Sequence, residues 1–402
     1  MRVIFTDPQK VFVAFLIFGL VNNVLYVVIL SAAIDLVGAA TPKAIVLLAD
    51  IVPALTIKLA SPLFIHLIPY TRRILALVAL SSVGMLIISL SGANAIGTKV
   101  MGIAFASLSS GLGEVSFLQL THYYDEKDAI GGFSMGTGAA GILGSFAFLV
   151  LTSLLGISTR TLLLVFAVVP LLFLVSFYII LPELASEIQY GALPTVDGEI
   201  VHTEAPQDLK KHILNTILRI VPLIRPYMLP LCSVYIAEYT INQGVSPTLL
   251  FPLEQMPQWL IKTYRDIYVV YGFMYQLGVF VSRSSSTFGF RCRGLYKLSV
   301  LQVANVAIAI IQSMYTIPFP GLWLLLIFAL YEGLLGGLLY VNTFLSVSEE
   351  VPRSEREFSM GCVGISDSFG IMIAGCINWW LEQRLCQFQV DRGRNWCKNP
   401  NL

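Results

Sequence analysis

One acidic residue, Glu332, lies inside an otherwise apolar segment of membrane-spanning length, FALYEGLLGGLLYVNTF (328–344). A charged side chain at the centre of a bilayer costs roughly 2.5 to 3.5 kcal/mol on insertion scales, so such residues usually face a protein interior or a water-filled path. The glycines beside Glu332 allow a neighbouring helix to approach closely. The segment therefore predicts a packed helix that lines a polar path and ends at the polar residue Asn342.

Other polar side chains within apolar segments could serve the same path. Glu238 and Asn242 in AEYTINQG are four residues apart and share one helical face. We predict a transport pathway from nine such residues: Asn22, Tyr26, Glu114, Glu238, Asn242, Gln243, Glu332, Asn342 and Asp367. Each could instead bond a neighbouring helix without taking part in transport, because such bonds are common and average about 0.6 kcal/mol. Asp50 and Lys58, about two turns apart on one face, leave the same two interpretations open.

Composition fixes the class of protein that must position these groups. The chain has 402 residues, 56% of them hydrophobic and 12% charged, with a mean hydropathy of +0.78, which is typical of an integral membrane protein. A net charge of +1 without a basic run excludes a nucleic-acid partner. The six cysteines lack metal-ligand spacing, so we predict no metal and no cofactor.

Enzyme motifs are missing as well. The sequence contains neither a G-x-S-x-G elbow nor an H-E-x-x-H helix, so we predict that the protein is not an enzyme. Residues 136–141 match the G-x-G-x-x-G dinucleotide pattern, but they lie inside a membrane span with no strand before them. The small residues Gly132, Gly136, Ala140 and Gly144 recur every four positions and predict a helix-packing face instead.

Hydropathy predicts eleven membrane spans in an all-α polytopic protein. They lie near 11–34, 44–68, 74–91, 99–120, 131–155, 161–181, 226–251, 266–283, 294–316, 321–347 and 358–380. We predict an N-terminal six-helix lobe at 1–181, a polar cytoplasmic connector at 182–225, and a C-terminal lobe of about five helices with a tail at 226–402. Within the connector, apolar spacing over 208–223 predicts an amphipathic helix on the membrane surface.

Lys and Arg in the short loops place the N-terminus in the cytoplasm, with 11–34 as a signal anchor. The tail then lies on the far side, although Arg384, Arg392, Arg394 and Lys398 disfavour that side, so a twelfth membrane element stays open. Pairing of Cys386 with Cys397 also stays open, since it requires an oxidising compartment.

An internal repeat indicates the architecture. The tetrapeptide FSMG at 133–136 recurs at 358–361, an offset of 358 − 133 = 225 residues. A glycine-rich span with one acid, Glu114 or Glu332, precedes each copy, and Asn22-Asn23 has a weaker counterpart in Asn242-Gln243. These matches predict two parallel lobes, the second without a clear sixth helix, in the arrangement of the major facilitator class.

Several segments together resemble the battenin family of lysosomal and vacuolar membrane proteins, and its shorter fungal members most of all. They are NNVLYVVILSAA (22–33), SSGLGEVSFLQL (109–120), VYIAEYTINQG (234–244), GVFVSRSS (278–285), YEGLLGGLLYVNTF (331–344) and REFSMGCVGISDSFGI (356–371). The resemblance implies residence in the vacuolar membrane, a part in vacuolar pH balance, and handling of basic amino acids such as arginine. For the animal relatives it implies clearance of glycerophosphodiesters. The tail departs from a C-a-a-X signal.

These observations leave several functions open. An acidic lining from Glu114, Glu238, Glu332 and Asp367 favours a cation or a proton over an anion, although Lys58 and Arg283 could serve a phosphodiester. We expect a carrier in which two lobes alternate access to a small-molecule substrate, with Glu332 and Glu238 binding protons or substrate. The rival is a membrane scaffold that regulates vacuolar trafficking and pH through the connector without transporting anything. The expected partners are a small-molecule substrate, protons and membrane lipid. The sequence identifies no protein partner.

Overall fold

The computed structural model describes residues 7–32, 36, 44–92, 95–149, 151–152, 155, 157–182, 209–258, 261 and 264–398. All regular elements within these residues are helical, which confirms the all-α prediction. The chain divides into two compact units, Met1–Met228 with Phe344–Ser366, and Leu229–Thr343 with Asp367–Leu402. The first part of the predicted connector, 183–208, lies outside the described residues, and the predicted division at 181 and 225 stays a prediction.

Small residues bring the helices of the first unit together. Its helices are α1 (Asp7–Ser31), α2 (Ala44–Phe64), α3 (Tyr70–Leu90), α4 (Ile96–Leu120), α5 (Glu126–Leu149), α6 (Thr159–Phe166), α7 (Leu172–Val175) and α8 (Leu209–Leu223). Helix α1 packs along α5, and α4 packs against both α2 and α3. The predicted glycine face of α5 is confirmed, because Gly132 and Gly136 lie against the carbonyl groups of Phe12 and Leu16 in α1. A side chain at either glycine would separate the two helices.

The second unit is built on a separate apolar core. It contains α9 (Leu229–Tyr239), α10 (Tyr264–Arg283), α11 (Leu295–Tyr315), and most of α12 (Leu322–Glu350) and α14 (Ile365–Val390). The short helix α13 (Arg353–Val363) belongs to the first unit. Tyr271, Leu325 and Ala329 are among the buried core residues of the second unit. Gly278 and Gly333 let the backbones of α10 and α12 meet.

Membrane-spanning character is visible in length, composition and surface. Within the described residues, nine helical segments are long and apolar enough to cross a membrane. Two further helices, α5 and α10, coincide with the predicted spans at 131–155 and 266–283. Large apolar side chains such as Leu59 (54% exposed) and Ile179 (77% exposed) face outward, as expected for a surface in contact with lipid.

The last predicted span, 358–380, covers the end of α13 and the first part of α14. Helix α14 continues to Val390, past the point where hydropathy falls, because buried Gln389 anchors its end. The Nε2 of Gln389 donates to the carbonyls of Thr248 at 2.8 Å and Ser313 at 2.7 Å. Cys386 on this helix forms a disulfide with Cys397 in the tail, which settles the pairing that the sequence left open.

Candidate functional site

Glu332 lies at the centre of a polar cluster in the second unit and is 0% exposed. Its Oε1 accepts a hydrogen bond from Asn242 Nδ2 at 2.9 Å, and its Oε2 accepts one from the Tyr271 hydroxyl at 2.5 Å. Among the described residues, no lysine, arginine or histidine forms a salt bridge with this carboxyl group. Burial without a counter-charge favours the neutral form of a carboxyl group, whereas the two donors stabilise the ionised form. Both forms of Glu332 therefore have a source of stabilisation, which suits a group that takes up and releases a proton.

The second acid of the cluster, Glu238, is 3% exposed and follows a different pattern. Its Oε2 has no hydrogen-bond donor among the described residues, and the nearby Arg283 interacts with it electrostatically. Arg283 is held in place by Tyr235, to whose hydroxyl it donates at 3.0 Å, and by the Tyr340 ring, 4.2 Å from its guanidinium carbon. Glu238 therefore presents an unoccupied acceptor beside a fixed cation.

The backbone at the end of α9 positions both acids. Helix α9 gives way to a π-helical segment, Thr240–Val245, and such widened turns are frequent at functional sites. Asn242 lies in this segment and donates both to Glu332 and to the backbone carbonyl of Glu238, each at 2.9 Å. On α12, Gly336 lies against the Glu238 carboxylate, where a side chain would collide with it. Asn242 thus joins the Glu332 carboxylate to the backbone that carries Glu238.

The other predicted residues of the second unit form different contacts. Asn342 is ten residues beyond Glu332 on α12, about 15 Å along the helix, and its Oδ1 accepts from the Cys292 backbone N–H at 2.8 Å and from Arg291 at 3.0 Å. It thereby fastens the loop after α10. Asp367 accepts from the backbone N–H and hydroxyl of its neighbour Ser368. Gln243 is half-buried beside Asn242.

In the first unit, Glu114 forms a salt bridge of 2.7 Å with Lys58, whose side chain is 2% exposed. The Lys58 ammonium also donates to the Gly364 carbonyl at 3.1 Å. Asn22 Nδ2 donates to the Ser110 carbonyl at 3.1 Å, and both Asn22 and Tyr26 line a small cavity. Glu114 therefore has a cation as its partner, whereas Glu332 in the matching sequence segment has neutral donors.

Tyr271 is the residue that sequence reasoning missed in the cluster. A signal for it was present, since tyrosines recur at helical spacing along α10, at Tyr264, Tyr268, Tyr271 and Tyr275. Such a stripe places hydroxyl groups along one side of an otherwise apolar span.

A second missed group centres on Glu357 of α13. Its carboxylate accepts from the hydroxyls of Tyr70 and Tyr123, each at 2.6 Å. The Arg73 guanidinium lies 4.3 Å from the centre of the Tyr70 ring. These partners are distant along the chain, so no local pattern in the sequence predicts the contact.

The fold of this chain is similar to the folds of solved transporter structures. The fold is similar to that of the human organic anion transporter MFSD10 (TM-score 0.64, 13% identity, 98% of this chain and 96% of that chain). It is also similar to the major facilitator superfamily transporter FucP in the outward conformation (TM-score 0.61, 12% identity, 97% of this chain and 93% of that chain). The likeness shows the fold alone, and it confirms the predicted major-facilitator arrangement.

Sequence comparison identifies the family. The chain is 60% identical over 410 residues to protein BTN1 of Debaryomyces hansenii, covering 99% of each chain. The family model described as CLN3 protein matches residues 13–388. This chain therefore belongs to the CLN3 (battenin) family.

Proposed function

We propose that this protein is a proton-linked carrier of the vacuolar membrane that moves a small cationic substrate, with basic amino acids such as arginine as its candidates. The observation that carries the proposal is the complete burial of Glu332 among neutral donors. Because proton-linked flux changes the acidity of the compartment, a part in vacuolar pH homeostasis follows. The family resemblance supports the location, and the major-facilitator fold supports alternating access.

The two acids have separate roles in this proposal. Glu332 takes up and releases the proton, with the Tyr271 hydroxyl as its hydrogen-bond partner in either state. Glu238 receives the substrate, because its acceptor oxygen can bind a guanidinium or ammonium group. The rings of Tyr235 and Tyr239 stack with their centroids 6.1 Å apart next to this acid and offer aromatic faces that favour a cation.

A glycerophosphodiester is the second candidate substrate, and Arg283 is the observation that favours it. A guanidinium buried beside an unfilled carboxylate could bind a phosphodiester if Glu238 were protonated. Lys58 gives this alternative little support, because Glu114 already balances its charge. The cationic substrate therefore agrees better with the charges present.

The test is flux into liposomes that contain the purified protein. Under a proton gradient we compare labelled arginine, lysine and glycerophosphocholine, using wild type, Glu332→Gln and Glu349→Gln. Glu349 is an exposed acid on the same helix and supplies the matched control. We expect proton-driven arginine flux in wild type and in the control, and its loss in Glu332→Gln.

Two results would contradict the proposal. Unchanged proton-driven flux in Glu332→Gln would remove the proton role from this residue. Flux of glycerophosphocholine without flux of either amino acid would replace the cationic substrate with the phosphodiester.

A further inference from the structure

A small cavity lies within the first unit, among α1, α2, α3, α4 and α7. Its polar lining consists of Asn22, Tyr26, Asp50, Ser81, Ser109 and Ser110. The space is about the size of one water molecule. Apolar side chains such as Val21, Leu25 and Phe173 complete the lining, and the Asp50 carboxylate supplies the only formal charge among the lining residues. We refer to it as the Asp50 cavity.

Asp50 is 6% exposed, yet no lysine, arginine or histidine among the described residues forms a salt bridge with its carboxylate. Its backbone carbonyl accepts from the Ser107 hydroxyl, but its side chain forms no hydrogen bond or salt bridge with any described residue. Lys58, two turns along α2, donates instead to Glu114 and to the Gly364 carbonyl. A buried carboxylate without compensation is strongly unfavourable, so a positive charge must reach it when it is ionised.

Several groups that line the cavity with Asp50 have oxygen atoms that can act as acceptors. The Oδ1 of Asn22 is buried without a donor among the described residues, because its Nδ2 is directed to the Ser110 carbonyl. The hydroxyls of Ser81 and Ser109 donate to the Leu77 carbonyl at 2.7 and 2.9 Å. The two hydroxyl oxygens also lie 2.6 Å from each other, so one can donate to the other instead. In either arrangement each oxygen keeps at least one lone pair for a ligand. A proton on Asp50 would serve one acceptor, whereas a metal cation can be coordinated by several oxygens at once.

We propose that the Asp50 cavity binds a small monovalent cation of the sodium type. Hard oxygen ligands suit alkali and alkaline-earth ions rather than transition metals. One carboxylate balances one positive charge, and no group of three or more acidic, histidine or cysteine residues that could hold a divalent ion occurs in the described part of the chain. This site goes beyond the proposed carrier function, because ion binding requires neither substrate nor a proton gradient.

Sodium binding by the purified full-length protein in lipid nanodiscs tests the site. Sodium chloride replaces choline chloride at constant ionic strength and pH, and the readouts are the thermal unfolding midpoint and the binding of radioactive sodium. We expect the midpoint to rise with sodium, since a ligand that binds only the native state stabilises it. We also expect binding to saturate at one ion per protein.

Two variants locate the ion. Asp50→Asn removes the charged ligand and should lower sodium affinity about 100-fold, while Asn22→Ala keeps the charge and should lower it about tenfold, the small end of the roughly 10- to 100-fold range for loss of a supporting group. Asp125→Asn makes the same exchange at an exposed position and should bind sodium as wild type does. If Asp50→Asn does not fold, Asn22→Ala still decides the question.

Three results would overturn the proposal. They are a wild-type protein that responds to sodium no more than to choline, equal sodium affinity in wild type and both cavity variants, and stabilisation that follows pH alone. The last result would make Asp50 a proton site. Each of these readouts is independent of flux, so failure here leaves the carrier proposal standing.

Discussion

Lys58 and Glu114 form a salt bridge of 2.7 Å inside the first unit, with side-chain exposures of 2% and 13%. Lys10 and Asp7 form another at 3.0 Å, with exposures of 40% and 77%. The two bridges resemble each other in length but differ in surroundings. When the exposed Lys10–Asp7 bridge breaks, water solvates both partners. When one partner of the buried Lys58–Glu114 bridge is removed, the other is left as an uncompensated buried charge.

Lys58→Met should therefore lower stability far more than Lys10→Met. Breaking a buried pair by removal of one partner costs roughly 3–5 kcal/mol, and an exposed pair contributes about 0–1 kcal/mol. The measurement is the thermal unfolding midpoint of the purified variants. Adding Glu114→Gln to Lys58→Met should recover part of the loss. A double variant no more stable than Lys58→Met would contradict the ion-pair explanation.

At the scale of elements, the contact between α10 and α12 depends on glycine. A side-chain carbon built at Gly333 would lie against the Tyr275 carbonyl oxygen and 2.9 Å from the Val279 nitrogen. Gly272, on the facing helix α10, has open space in the same position. The same substitution can therefore be made with and without a steric penalty.

Gly333→Ala should reduce the thermal unfolding midpoint and the yield of folded protein, since the two backbones must separate to admit the methyl group. Gly272→Ala should leave both unchanged or raise the midpoint, because alanine is favoured over glycine within a helix by about 0.5–1 kcal/mol. If both variants lost stability equally, close backbone approach would not be the reason for Gly333.

At the scale of the whole molecule, the disulfide of the tail is relevant to which side of the membrane the tail faces. Cys386 and Cys397 are joined by a disulfide, and the Trp396 ring stacks on Tyr264 with the centroids 6.2 Å apart. Disulfides persist in oxidising compartments and are rare in the cytosol. With an odd number of predicted spans, a lumenal tail agrees with a cytoplasmic N-terminus.

We expect a glycosylation acceptor added to the tail to be modified and the same acceptor at the N-terminus to stay unmodified. The gel mobility of the tagged proteins in cells, before and after glycosidase treatment, measures this. A modified N-terminal tag, or an unmodified tail, would contradict the predicted orientation. Thiol-reactive polyethylene glycol gives a second check, since Cys386 and Cys397 should react with it only after reduction.

The sequence alone determined the helical elements and the repeat of small residues on α5. Hydropathy over a span and the four-residue spacing of Gly132 and Gly136 are local properties, so they can be read without knowing what lies opposite. The same holds for the presence of Glu332 in an apolar helix. Hydropathy did not predict where α14 ends. The helix extends past the fall in hydropathy, where buried Gln389 donates a hydrogen bond to the Thr248 carbonyl.

Only the tertiary structure decided what each acid contacts. Glu114 and Glu332 occupy matching places in the repeat, yet one meets Lys58 and the other meets Tyr271 and Asn242. These partners lie far away along the chain, and the chain must fold before a carboxyl group is surrounded by a cation, by neutral donors or by acceptors. Those surroundings set the cost of a buried charge. Whether an acid pairs with a cation or carries a proton therefore depends on tertiary packing, which the spacing of residues does not reveal.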